Sequence, residues 1–237
     1  MNTKNKTQLI LATLAVVSLS ACSLGPPPTL VIDSAMAGAD VFEVDGLKNR
    51  YWGKPLTFGP YHTEKTRVGD TWNWAVGLFG REIGARVDPY RFIFVDDAGD
   101  RYRVECRAKT PMLRRSTRNS EWSFPLGETK LSCAIQDPAG NVASLAMHGA
   151  GGDYAGETGF AEIEDFEISA VREFANAEGR TFSIPTALGF ELRQGGRVVA
   201  TVDTFSHDVV YLARELEPRQ RTAAALTLTV LMFFNEA

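Results

Sequence analysis

The chain is 237 residues long, 44% hydrophobic and 23% charged, with a formal charge of −4 at pH 7. These proportions exclude a disordered chain, and the length suits one β-rich domain better than two small ones. Discounting Lys4 and Lys6 leaves a charge of about −6, which argues against nucleic acid as a partner.

Lys4 and Lys6 precede an apolar run from Leu9 to Val17, and small residues then lead to Cys22. This is the layout of an export signal, and the run is too short for a spanning helix, which needs roughly 20 residues. Leu19-Ser20-Ala21-Cys22 resembles the lipobox of bacterial lipoproteins. The resemblance implies removal of residues 1–21 as a signal peptide, diacylation of the Cys22 thiol by palmitate-like chains, and a membrane as partner through that lipid anchor. An ordinary signal peptide with an incidental cysteine is the competing reading. Ser23 stands where inner-membrane retention signals carry aspartate. That implies the outer membrane of the cell envelope and a periplasm-facing domain, or the cell membrane in a host with no outer membrane. Residues 22–30, with Pro26-Pro27-Pro28, read as the lipidated cysteine and a stiff tether; residues 31–237 read as a single β-rich domain.

Within that domain, short strands alternate with turn chemistry. Val41 to Val44 runs into Asp45-Gly46, Leu56 to Phe58 into Gly59-Pro60, and Thr71 to Val76 alternates with Trp72, Trp74 and Val76 on one face. Arg91 to Val95, the turn Asp96 to Asp100, and Arg101 to Cys106 predict a half-buried hairpin with Tyr102, Val104 and Cys106 inward. Lys130 to Ile135 places Leu131, Cys133 and Ile135 together, turns at Asp137 to Asn141, and returns over Val142 to Met147. Both cysteines sit on apolar faces, so a Cys106–Cys133 disulfide is expected in an oxidising compartment, with two buried thiols as the alternative. Between these hairpins Lys109 to Arg118 reads as an exposed basic loop carrying Arg114, Arg115 and Arg118. Gly149 to Gly159 is glycine-rich without a phosphate-loop pattern.

Phe160 to Ala177 fits two periods. Ile163, Phe166, Ala170 and Phe174 make a helical stripe, whereas Phe160, Glu162, Glu164, Phe166 and Ile168 alternate; the helix is favoured. Strands are expected over Thr181 to Ile184, Gly189 to Arg193, Val198 to Thr204 and Val209 to Leu212, with Gly195-Gly196 as a hairpin turn. Pro218 suits the first turn of a helix that is apolar on every side from Ala223 to Phe234 except at Thr227 and Thr229. Such a helix must be enclosed; a central strand, with Leu226, Leu228 and Val230 alternating, is the competitor.

The predicted fold class is therefore mainly β: an antiparallel meander or barrel of about ten to twelve short strands, with the apolar C-terminal helix packed against or inside it. Asp208-Val209-Val210 through Leu216, Pro218 and Gln220 to Ala223-Ala224-Ala225-Leu226 resembles the last strand and helix opening of the tubby C-terminal-like superfamily, which includes LURP-one-related proteins. What that resemblance implies is a helix threading a twelve-strand barrel, and action at or near membrane lipids.

No catalytic set converges. Ser206-His207-Asp208 holds triad residue types, but consecutive residues cannot line up as a triad, and no Gly-x-Ser-x-Gly elbow occurs. His62, His148 and His207 lack metal-ligand spacing, and Asp153 and Glu157 lack a calcium-loop pattern, so neither a metal nor another cofactor is expected. Trp72 and Trp74, with Tyr51 and Trp52, read as core aromatics before a glycan platform. The sequence thus predicts a non-enzymatic interaction or scaffold module whose partner is an envelope protein, lipid or glycan. The basic segment 109–118 or a barrel mouth would meet lipid or glycan; an envelope hydrolase is the weaker alternative.

Overall fold

The computed structural model describes residues 28–48, 54–78, 81–117, 120–150 and 158–234. In chain order the first strands are β1 (Thr29–Leu30), β2 (Asp40–Glu43), β3 (Thr57–Phe58), β4 (Tyr61–Val68), β5 (Trp72–Leu78) and β6 (Arg81–Val95). Then come β7 (Arg101–Thr117), β8 (Ser120–Pro125), β9 (Thr129–Gln136), β10 (Val142–Ala150), β11 (Thr158–Ala161) and β12 (Phe166–Val171). The last are β13 (Glu173–Ala175), β14 (Thr181–Ser183), β15 (Gly189–Gln194), β16 (Arg197–Asp203) and β17 (Val209–Leu212), followed by the helix α1 (Pro218–Phe234).

Twelve of these strands form one antiparallel sheet in the order β2-β17-β16-β15-β12-β11-β10-β9-β7-β6-β4-β3. Its two ends meet at a single bridge, Asp45 to Thr57, where each amide donates to the other carbonyl at 2.9 and 3.0 Å. The sheet is thereby curled into a barrel. The alternation in β9 shows why the residues accept this: Leu131, Cys133 and Ile135 turn inward while Lys130, Ser132 and Ala134 face water. In β16 the period vanishes, because Val198 to Asp203 are all buried and the outer side is covered by the 3-10 turn Ser34–Met36.

The barrel interior is filled by α1, whose residues Thr222 to Phe234 are all buried. Phe233 stacks on Phe92 and Tyr90, with ring centroids at 4.9 and 5.7 Å, and the Tyr90 hydroxyl donates to the Val230 carbonyl at 3.1 Å. At the helix start, Asp40 on β2 accepts from Arg214 at 2.8 Å and Arg221 at 2.7 Å. These hydrogen bonds hold the Asp40 carboxyl below the usual carboxylate range. Arg219 reaches Glu164 at 2.7 Å, so the first turn is fastened to the rim on two sides. The enclosed helix and its bounds agree with the sequence reading. A helix without a polar face has no stable place except inside another layer.

Cys106 and Cys133 occupy directly opposed positions on β7 and β9, with Cα atoms 4.1 Å apart and sulfurs at bonding distance, 2.09 Å. Both are buried in the barrel wall. Replacing both by alanine is expected to lower stability by about 3.5 kcal/mol on the chain-entropy account of a 27-residue separation. Denaturant unfolding of the double variant beside the oxidised chain measures this, and an unchanged midpoint would refute it.

Two expectations are corrected. Residues 160–177 form no helix: β11, a turn at Glu162 to Asp165, β12 and β13 occupy them. Phe166 and Ile168 point inward from β12, but the expected alternation does not run through the segment: Phe160 is exposed on β11, and Glu162 and Glu164 lie in the turn, where Asp165 adopts φ +56° and breaks any helix. Nor is 109–118 a loop. Lys109 to Thr117 is the distal half of β7, and Arg118 lies outside the described residues.

That distal half defines the remaining architecture. β4 pairs with β6 only as far as Tyr90, and β9 pairs with β7 only as far as Lys109. Beyond those points β5 takes the free edge of β6 and β8 that of β7, giving a four-stranded sheet, β5-β6-β7-β8, that continues the barrel wall. A smaller sheet, β1-β13-β14, carries the start of the described chain.

Candidate functional site

With α1 filling the interior, the recessed surface lies on the outer wall. The ladder between β4 and β6 slips between Glu64 and Arg67, and Lys65 adopts φ +50°. This bulge sends Thr66 inward, where its hydroxyl lies 3.3 Å from that of Thr63, and leaves Lys65 and Arg67 exposed. Neighbouring strands then add charge in register: Arg91 on β6 opposes Arg67 on one side and Glu105 on the other. Arg103 opposes Ile93, and Arg107 opposes Pro89.

Two adjoining depressions share Arg67, Arg91 and Glu105, so they form one groove across β4, β6 and β7. Lys65 and Arg103 line one end, Gly69, Pro89 and Arg107 the other. At that second end the Gly69 amide donates to the Pro89 carbonyl at 2.8 Å, and a Cβ on Gly69 would meet Pro89 Cγ at 2.8 Å. The close approach keeps the groove floor continuous.

The electrostatics are simple. Five cations, Lys65, Arg67, Arg91, Arg103 and Arg107, surround the single carboxylate of Glu105. Among the described residues, Arg67, Arg91, Arg103 and Arg107 make no ion pair, whereas Arg101 is engaged by Glu64. Strands stand roughly 4.8 Å apart, so adjacent guanidinium groups can grip one anion together. Planar donor forks of this kind match phosphate and carboxylate oxygens two at a time.

The residues singled out in the sequence are distributed otherwise. Arg114 and Arg115 are consecutive on β7 and so lie on opposite faces of the projecting sheet. Cys22, Tyr51, Trp52, Asp153 and Glu157 lie outside the described residues. Trp74, expected in the core, is 43% exposed on β5. His148 and His207 are exposed on separate elements, and His62 sits 3.7 Å from Glu64. The Ser206 hydroxyl donates to Asp203 instead of to His207, and Asp208 pairs with Lys48 at 4.0 Å. Nothing in this turn makes a charge relay. Among the described residues no group of three or more histidine, cysteine, aspartate or glutamate side chains could hold a metal ion.

No family model, curated protein or solved structure matches this chain. The groove was missed in the sequence because its members come from three strands. The available signal was Arg101, Arg103 and Glu105 alternating on the outer face of β7. The pKa shifts fall elsewhere and have structural causes: burial raises Tyr61 and Tyr102, while hydrogen bonds lower Asp137 through Asn141 and Glu162 through Ser144.

Proposed function

We propose that this protein is a lipid-anchored component of a bacterial envelope whose barrel is a binding module for anionic envelope molecules. Cys22 carries the lipid, Pro26 to Pro28 form the tether, and the domain faces the periplasm from the outer membrane. The buried C-terminal helix within twelve strands supports grouping the fold with the tubby C-terminal-like superfamily. The reading is non-enzymatic: the partner is held on the outer wall, because the interior is occupied by α1. The observation that carries it is the groove of Lys65, Arg67, Arg91, Arg103 and Arg107, whose four guanidinium groups make no ion pair among the described residues. Phosphate-bearing lipid or glycolipid headgroups are the envelope ligands with the matching charge.

The test is calorimetric titration of the purified chain with phosphorylated lipopolysaccharide. Arg91→Ala and Arg107→Ala are each expected to weaken binding roughly tenfold, the value of one hydrogen bond to a charged group, with the melting temperature unchanged. Arg114→Ala is expected to do far less. Equal binding by wild type and the Arg91→Ala/Arg107→Ala variant would remove the groove from the proposal. The mass of the mature amino terminus separately tests acylation at Cys22.

A further inference from the structure

The four-stranded sheet β5-β6-β7-β8 has two unlike faces. Register places Trp74, Ala85, Pro111 and Leu126 in one row across it, and Val76, Ile83, Leu113 and Phe124 in the next. Trp122 opposes Arg115 in a third row and stacks against Phe124, with ring centroids at 6.5 Å. All these side chains share one face, because opposed residues of an antiparallel ladder project to the same side. Val76 is 74% exposed, Ile83 64%, Trp122 58%, Phe124 51% and Leu126 50%. The reverse face carries Glu82, Arg86, Thr110, Arg114 and Ser123. Contiguous exposed apolar surface of this kind marks an interaction site.

We propose that this face rests in a lipid bilayer, as a contact additional to the N-terminal anchor. Three observations select lipid as the occupant. The first is composition and charge. Tryptophan and phenylalanine beside aliphatic residues suit the acyl boundary, while Lys109 and Arg115 flank the apolar rows on the same face and meet headgroup phosphates.

The second is position. Following the registers Val171↔Gly189, Thr158↔Ser169, His148↔Thr158, Lys130↔His148 and Lys109↔Lys130 goes round one end of the barrel, from the sheet that carries β1 to the start of the projecting sheet. The chain therefore enters at the end from which the apolar face projects. From Cys22 to Thr29 the chain reaches at most about 25 Å, so an anchor at Cys22 brings this end to the bilayer. Phe182 and Phe205, 45% and 44% exposed around Phe174, lie at the same end.

The third is area. Four strands at roughly 4.8 Å and two apolar rows, with Trp122 at the edge of a third, make a face of about 300 Å², well under half of what each partner gives to a stable protein interface. Lipid has no such threshold. The orientation argument rests on the anchor reading; the apolar face itself does not.

The experiment uses the full acylated chain on phosphatidylethanolamine–phosphatidylglycerol vesicles whose acyl chains carry bromine. Trp74 and Trp122 are two of the four tryptophans, so emission is expected to shift to the blue and fall by roughly half as indole rings meet the acyl boundary. Trp74→Phe/Trp122→Phe should remove most of that quenching, Trp72 being the one other tryptophan of β5. Ile83→Asp/Phe124→Asp should stay vesicle-bound and keep its melting temperature, since both positions are exposed, yet lose the quenching. A vesicle-bound chain whose emission is unquenched overturns insertion while leaving the anchor intact. So does a lipid-free dimer that Phe124→Asp dissociates, because the face would then belong to a second copy. A Cys22→Ala chain that still floats with vesicles and is still quenched supports insertion while removing the anchor from it.

Discussion

A chain ending at Leu216, without α1, is expected not to fold. The helix contributes seven large side chains that are at most 3% exposed: Leu226, Leu228, Val230, Leu231, Met232, Phe233 and Phe234. Burying such side chains is worth about 1.5–3 kcal/mol each, about 10–21 kcal/mol for the seven, as much as or more than the roughly 5–15 kcal/mol by which a domain of this kind is stable. The strands would also face an empty lumen, and a Tyr90 hydroxyl that lost Val230 as acceptor. The truncated chain should show no cooperative thermal transition and should be degraded rapidly by protease. A cooperative melt near that of the full chain would mean that the barrel closes without its helix. Phe233→Ala offers a graded version. Removing this ring from its stack on Phe92 and Tyr90 should cost about 3–5 kcal/mol, read from the denaturant midpoint.

Closing the barrel depends on one glycine. Gly46 follows the Asp45–Thr57 bridge with φ +88°, and a Cβ there would lie 2.1 Å from the Pro55 carbonyl oxygen. Gly46→Val imposes a left-handed conformation on a β-branched residue and forces β3 away from β2. Both amide–carbonyl bonds of the bridge are then lost, and two strand edges open to water. Destabilisation of at least about 4 kcal/mol is expected, in the exceptional range to which strain at a special backbone site belongs. Equilibrium unfolding measures it, with Gly99→Val as control. Gly99 has φ +84° but no atom within 4 Å of its Cβ, so that variant isolates conformational strain from the clash. Equal losses in the two variants would show that the seam contributes nothing of its own.

Much of the fold could be read from residue order, for local reasons. Turns at Asp96 to Asp100, Asp137 to Asn141 and Gly195-Gly196 are where Gly99, Gly140, Gly195 and Gly196 take positive φ. The helix from Pro218 to Phe234 was legible because a proline opens it and no polar face follows. The paired cysteines were legible because both fall on the inward period of their strands. Residues 160–177 were misread because Phe166 and its neighbours satisfy both periods, and only pairing with β10 and β15 separates them.

The functional surfaces belong to the other category. Local sequence does not say that β6 and β7 run on for 15 and 17 residues, changing partners halfway. Lys109 to Arg118 therefore looked like a basic loop, and Trp74 looked like core, since alternation is the same whether the apolar face meets protein or solvent. The groove of Lys65, Arg67, Arg91, Arg103 and Arg107 needs a bulge in β4 and the register of three strands before its charges stand side by side. By itself the sequence determined the strand-and-turn order, the enclosed helix and the cysteine pair, because period and turn chemistry act over a few residues. Only the tertiary structure decided which cations converge and which apolar face stays open, because strand register couples residues far apart in the chain.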